Sequence, residues 1–415
     1  MNETLAGDSA VAGPAPRGPA PPRPAVAGPR DAPPGRTPHR EVHVIVPGGI
    51  DDPLEPSGGN TYDRHACRGL AGAGQTVREY PVSGAWPRPG PADRAVLHRI
   101  LAGLTDDSLV LIDGLVACGV PDIVVPHARR LRLAVLLHLP LGDEQGCPPD
   151  VAASLTDGEG RTLRAAASVV TTSDWAARRV IALHRLTPER VHVAAPGVEP
   201  APAAPGTDGA TRLLCVGALT PTKGQDLLVA ALARLAHRPW TCHLVGPLRR
   251  DPSFVAGLRA SIERHGLGGR VRLTGPLAGE AFEAMYRSAD LLVLPSRAET
   301  FGMVITEALV RGIPVLAAAA GGVPDTLCGT PSRSCGGALN RAADHAADRG
   351  GVAGMLVPPD DVAALADGLR RWWDDAGLRA DLRRCAARRG AALTGWEVTT
   401  QCLAQVLNGL PPTAR

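Results

Sequence analysis

Lysine is almost missing from this sequence: of its 44 basic residues, 43 are arginine and one is Lys223. Aromatic residues are scarce as well, with six Trp, three Tyr and three Phe in 415 residues. Both scarcities, set beside the large Ala, Arg, Gly and Pro share, fit the coding bias of a GC-rich genome better than a functional basic surface. The formal net charge is only +3, and that balance argues against a dedicated nucleic-acid binder, which carries a large excess of one sign. No run reaches the about 18 uninterrupted apolar residues of a membrane span. The longest apolar stretches, Leu131–Leu141 and Ile313–Ala320, are strand-sized. The nine cysteines form no C-x-x-C pair, and Cys215 and Cys242 sit in apolar, strand-like runs. An odd, scattered set of this kind points to a reducing compartment, hence the cytoplasm.

The N-terminal stretch also lacks the apolar core of a signal peptide. Met1–Arg40 holds ten prolines, eight alanines and five glycines. Such a segment buries too little to offset its ordering entropy, so residues 1–40 are predicted to be a disordered tail.

What is present from residue 41 onward is a βα rhythm, short apolar runs alternating with Ala/Leu/Arg helical stretches. Strands are predicted at Val42–Val46, Val77–Tyr80, Leu109–Ile112, Leu133–Leu137, Val169–Thr171 and Val191–Ala194. After an aperiodic linker over residues 201–210 the rhythm restarts. The second set is Leu213–Val216, His243–Val245, Val271–Leu273, Leu291–Leu294, Val315–Ala317 and Met355–Val357. Two doubly wound α/β domains, 41–200 and 211–390, follow from this, with a last helix in 391–415. Ligands of such sheets bind beyond the carboxyl ends of the strands, which makes the cleft between the domains the expected site.

Two stretches of the second domain carry chemistry. Gly217-Ala218-Leu219-Thr220-Pro221-Thr222-Lys223-Gly224 follows its first strand, with a helix expected to start at Lys223 or Gly224. Free N–H groups and an ammonium there make an anion site suited to a diphosphate. In a chain where arginine has displaced nearly every lysine, the survivor marks a position arginine does not fill. The second stretch, Ser296–Leu309, places Glu299 in a loop and Glu307 on the helix after it, with Thr300 as the expected cap and Gly302 allowing close ligand approach. Eight helical residues span roughly 12 Å, wider than either glycosidase carboxylate geometry, which disfavours a hydrolase pair.

Together these stretches resemble the retaining glycosyltransferases of family 4, which have the GT-B fold: two facing Rossmann-like domains with an inter-domain cleft. The marks are Glu299…Glu307 as an E-x7-E motif, then Gly312-Ile313-Pro314-Val315 and Gly321-Gly322-Val323-Pro324. The resemblance implies a nucleotide-diphosphate sugar donor, an unidentified hydroxyl acceptor and no cofactor. It implies that Glu299 and the backbone N–H groups of Phe301, Gly302 and Met303 hold the donor sugar, that Glu307 binds the ribose, and that Lys223 binds the diphosphate. Ser57-Gly58-Gly59-Asn60 is similar to the family's glycine-rich loop against the donor phosphate, and His138 matches a histidine near the transferred sugar. Lys223, Glu299 and His138 are thus the catalytic candidates, and the last helix is expected to cross back onto the first domain.

One position departs from the family: Ala218 stands where an arginine is usual, and Arg297 is the candidate replacement. No D-x-D triplet occurs, so the metal-bridged diphosphate site of the other major transferase fold has no candidate, in keeping with a metal-free mechanism. The stretch Thr330–Gly350, with Cys335 and His345, reads as a disordered or acceptor-shaping insertion rather than a metal site with Cys328. A helix bearing Arg379, Arg383, Arg384, Arg388 and Arg389 beside Trp372 and Trp373 offers weak peripheral contact with an anionic membrane, at its inner face. An epimerase or phosphorylase of the same fold and a non-catalytic nucleotide-sugar binder stay open as alternatives at this level.

Overall fold

The computed structural model describes residues 41–144, 146–207, 209–329 and 352–413. The tail 1–40 and the insertion 330–350 lie outside them. The described residues form two six-stranded parallel sheets. The first contains β1 (Glu41–Pro47), β2 (Thr76–Val82), β3 (Leu109–Asp113), β4 (Arg132–Leu137), β5 (Ser168–Thr171) and β6 (Val191–Val193) in the order β2-β1-β3-β4-β5-β6. The second contains β7 (Arg212–Val216), β8 (Thr241–Val245), β9 (Val271–Gly275), β10 (Leu291–Leu294), β11 (Val315–Ala318) and β12 (Gly354–Val357) in the order β12-β11-β10-β7-β8-β9.

The central apolar runs are continuous because helices cover both faces of each sheet, whereas the edge strands β2 and β9 keep exposed polar positions. Every residue of β3 and of β10 is buried. In β1, Val42 and Val44 pack on one face and Ile45 on the other. At about 1.5–3 kcal/mol for each fully buried aliphatic side chain, these central strands hold the two frames rigid under the loops that follow them. The order reverses at β1 in the first sheet and at β7 in the second, and loops leaving the carboxyl ends at such points open a crevice.

The helix Gly58–Gly72 starts where Ser57 Oγ accepts from Asn60 N at 3.0 Å. The last helix, Trp396–Gly409, returns from the second sheet and packs beneath the first. Its Leu403 and Leu407 are fully buried in one cluster with Val44, Tyr62 and Leu70. Thr399 Oγ1 also donates to Ala195 O at 2.6 Å.

In the arginine-rich helix, Ala376–Ala391, the apolar residues are turned into the protein. Leu382 and Ala386 are buried against the second domain, Trp372 is fully buried, and both Trp372 and Trp373 donate their indole N–H to Ala210 O. Arg379 is spent on the carbonyls of Trp372 and Trp373, and Arg383 on Asp290. The apolar half of an interfacial helix therefore faces the protein core. No helix among the described residues is long and apolar enough to cross a membrane.

Candidate active site

Loops at the carboxyl ends of β1, β3 and β4 face those after β7, β8 and β10 across a cavity of about 650 Å³. Gly58, Gly59, His138, Lys223, Glu299, Phe301, Gly302, Met303 and Glu307 all line it. The sequence placed these candidates in separate loops, at a strand end and on a helix, and the structure brings them together.

The phosphate-type loop ends in a single short turn, Pro221–Lys223, and the helix proper runs Gln225–Ala233 behind Gly224 in the left-handed region at φ 68°. Lys223 Nζ donates to Glu299 Oε2 at 2.6 Å. Ammonium and carboxylate thus share one end of the cavity.

The loop Glu299–Gly302 is held by its carbonyls. Glu299 O accepts from Gly322 N at 2.9 Å, Thr300 O from Ser173 Oγ at 2.6 Å and Phe301 O from Thr326 Oγ1 at 2.6 Å. With the carbonyls turned outward, the N–H groups of Phe301, Gly302 and Met303 find no partner among the described residues and form an anion- or hydroxyl-binding edge. Thr300 is not the cap. Gly302 occupies that place at φ 82°, a conformation costly for any residue with a Cβ, before the helix Met303–Val310. The Thr300 hydroxyl instead crosses the cleft and donates to His138 O at 2.7 Å. The sequence missed this because the partner lies 162 residues away.

Glu307 turns inward from the second turn of that helix and accepts from Tyr286 Oη at 2.6 Å. Burial raises its pKa, against the lowering effects of the Tyr286 hydrogen bond and the nearby Arg311. Arg297 does not replace the arginine missing at Ala218. It is clamped by Asp226 at 2.9 and 2.8 Å, Asp360 at 2.6 Å and Pro221 O at 2.7 Å, outside the cavity wall.

The first domain adds a cluster that the sequence did not signal. His138 Nε2 lies 2.8 Å from Asp63 Oδ1 and 3.3 Å from Asp113 Oδ2, and both aspartates are buried. Asp113 ends a strand, so the strand-end rule marks it in retrospect; Asp63, on the inner face of a helix, has no such signal. Burial alone would lower the His138 pKa, but the charge of Asp63 and the hydrogen bonds the ring N–H donates to both carboxylates raise it to about 10. Burial, then the charge of Asp113, raises the Asp63 pKa to about 7 against the opposing pull of His138. These three are the group among the described residues whose spacing would admit a metal ion. The contacts are nonetheless the length of hydrogen bonds, and the imidazole N–H satisfies them. Gly59 borders the ring, where an added Cβ would lie 3.2 Å from His138 Cδ2. Cys335 and His345, the alternative metal ligands, lie outside the described residues.

Two facing Rossmann-like sheets with a loop-lined crevice between them define the GT-B class. A family model for glycosyl transferases group 1 matches residues 202–389. D-inositol 3-phosphate glycosyltransferase 1 of Catenulispora acidiphila is 32% identical over 338 residues, 76% of this chain and 72% of that protein. D-inositol 3-phosphate glycosyltransferase of Mycobacterium bovis is 31% identical over 65% of this chain, which spans 54% of that relative's length. Among solved structures, sucrose-phosphate synthase of Thermosynechococcus elongatus superposes with a TM-score of 0.68 at 21% identity, covering 89% of this chain and 99% of that one. Anabaena HepE in complex with UDP-glucose gives 0.65 at 19% identity, covering 90% and 100%. The chain belongs to the group 1 glycosyltransferase family.

Proposed function

We propose that the protein transfers a sugar from a nucleotide-diphosphate sugar to a hydroxyl acceptor, with retention at the anomeric carbon and without a metal ion. The observation that carries this reading is the convergence on one cavity of Lys223, the free N–H edge at Phe301–Met303 and the two glutamates of the E-x7-E motif. Lys223 holds the leaving diphosphate, Glu299 and the N–H edge the donor sugar, and Glu307 the ribose hydroxyls. The HepE complex contains UDP-glucose in a similar fold, which supports a donor of that class. As the glycosidic bond breaks, positive charge grows on the sugar ring and negative charge on the diphosphate. The acceptor oxygen attacks from the leaving-group face and its proton passes to the departing phosphate oxygen. The protein's share is positioning and electrostatic stabilisation of the leaving group.

The relatives named for inositol 3-phosphate suggest a polyol acceptor. The first-domain side of the cavity carries Asp113, Glu144 and His138 and, among the described residues, no lysine or arginine. That wall suits an uncharged polyol better than its phosphate. Any membrane contact would be electrostatic, through exposed arginines such as Arg388.

The test is release of free nucleoside diphosphate from UDP-, GDP- and ADP-sugars with and without a polyol acceptor, followed by the anomeric coupling of the product. Release that depends on acceptor, with an unchanged anomer, is expected. Donor binding without release under any condition would favour the non-catalytic binder, and isomerised donor without release would favour an epimerase.

A further inference from the structure

We propose that Arg250 is the second cation of the donor diphosphate site, held across the cleft by Glu55 and exchanged onto phosphate when the donor binds. The inference rests on the transferase reading above and concerns how its leaving group is neutralised.

Charge balance raises the question. The Lys223 ammonium lies 2.6 Å from the Glu299 carboxylate, so that pair is close to neutral as a unit. A nucleoside diphosphate brings at least two negative charges, and a neutral pair with a few N–H groups offsets them poorly. Ala218, in the phosphate loop itself, has no side chain able to help. Among the described residues that line the cavity, Lys223 and Arg250 are the only lysine and arginine.

Arg250 is also in the right loop. It follows β8, whose neighbour β7 feeds the Gly217–Lys223 loop. The two loops are joined backbone to backbone: Gly217 N donates to Val245 O at 2.9 Å and Leu219 N to Pro247 O at 3.0 Å. Near them, only glycine fits at 246, where φ is 150° and an added Cβ would stand 2.6 Å from the Gly217 carbonyl carbon. Arg250 therefore leaves a strip of backbone fixed against the phosphate loop.

Its present partner is weak. Arg250 Nε lies 3.3 Å from Glu55 Oε2, and Nη2 donates to Glu55 O at 3.4 Å. The two side chains are 40% and 27% exposed. A long, partly solvated contact of this kind contributes little, whereas a guanidinium on phosphate makes two short charge-assisted bonds. Contrast Arg297, gripped by two aspartates and a carbonyl and unavailable. Glu55 precedes Ser57, the cap of the first helix, so the exchange also loosens one tie across the cleft at the moment the donor enters.

Calorimetric titration of the full chain with UDP, GDP and ADP, and with the matching nucleosides, tests the assignment. For the base that the unaltered protein binds, Arg250→Gln is expected to weaken the diphosphate about ten- to a hundredfold, the worth of a charge-assisted pair, and leave nucleoside affinity unchanged. Glu55→Gln is expected to tighten the diphosphate, because the competing carboxylate is gone. Unchanged diphosphate affinity in Arg250→Gln would overturn the proposal, as would an equal loss for nucleoside and diphosphate, or weaker binding in Glu55→Gln. An unaltered protein that binds none of the three diphosphates would instead count against the transferase reading.

Discussion

At the scale of single residues, Lys223 and His138 lead to different experiments. Lys223 contacts Glu299 through one Nζ, a point charge on a flexible stem, and a planar guanidinium of larger reach cannot take the same place without displacing Glu299. Lys223→Ala is expected to lower the rate of transfer by about 2–4 kcal/mol of barrier, as for a removed oxyanion donor. Lys223→Arg should recover little of it. Single-turnover release of nucleoside diphosphate measures both, and full turnover in either would remove Lys223 from the mechanism. His138 is a question of protons. The groups facing it are Asp63 and Asp113, with the Tyr62 ring edge-on at 5.1 Å. Asp63 goes from an ordinary 3.8 to about 7 and His138 from 6.5 to about 10, so the folded state holds both protons more tightly than the unfolded chain. Stability from this cluster is therefore fully present at low pH and is lost as pH rises, through Asp63 between about 4 and 7 and through His138 between about 6.5 and 10. Urea unfolding at pH 6 and pH 9 should show that loss, and Asp63→Asn should flatten it while lowering the His138 titration followed by NMR. Equal pH slopes in the two proteins would show that Asp63 does not set the charge of His138. Lys223 was legible in the sequence because composition made it stand out; Asp63 was not, since one buried acid leaves no periodicity.

At the scale of elements, the decisive piece is the loop Glu299–Gly302, four residues suspended by contacts from both domains. Its ends, the strand Leu291–Leu294 and the helix carrying Glu307, were legible in the sequence because each has an apolar signature. The suspension was not. Ser173 reaches Thr300 O over 127 residues, a pairing that exists only once the two domains face each other. The Gly321-Gly322 pair has its explanation here too. An added Cβ at Gly322 would lie 2.8 Å from the Thr300 carbonyl carbon, closer than packing allows. Gly322→Ala should therefore push the loop into the cavity and tilt the N–H edge at Phe301–Met303. The expected outcome is donor affinity reduced about tenfold or more for a stability loss of about 1–3 kcal/mol, within the usual range for overpacking. Calorimetry with the donor nucleotide beside a denaturant curve separates the two, and unchanged donor affinity would mean the loop is not held by that contact.

At the scale of the whole molecule, the central strands were readable as apolar runs because parallel sheets buried on both faces leave no other pattern, while the edge strands β2 and β9 were read from shorter stretches that keep polar residues. The strand order was not readable, since register and neighbour choice depend on contacts between distant segments. The arginine-rich helix shows the limit most clearly: tryptophans beside basic residues suit a membrane surface and a domain core equally well as a one-dimensional pattern. Only the position of the second sheet decides that Trp372 goes inward. The last helix raises the same issue for the architecture, because residues 396–409 belong in sequence to the second half and in space to the first. Leu403 is fully exposed to neither solvent nor cleft; it is buried between the first sheet and the helix Gly58–Gly72 that opens with the glycine pair. Leu403→Ala removes a packed side chain there and is expected to cost about 2–5 kcal/mol, depending on how far the site collapses. Since the second domain's core does not include this residue, the loss should fall on the first domain. Hydrogen exchange should quicken in β1 and the helix Gly58–Gly72 while β7 and β10 keep their protection. Uniform loss of protection in both sheets would show instead that the helix couples the two domains into one folding unit.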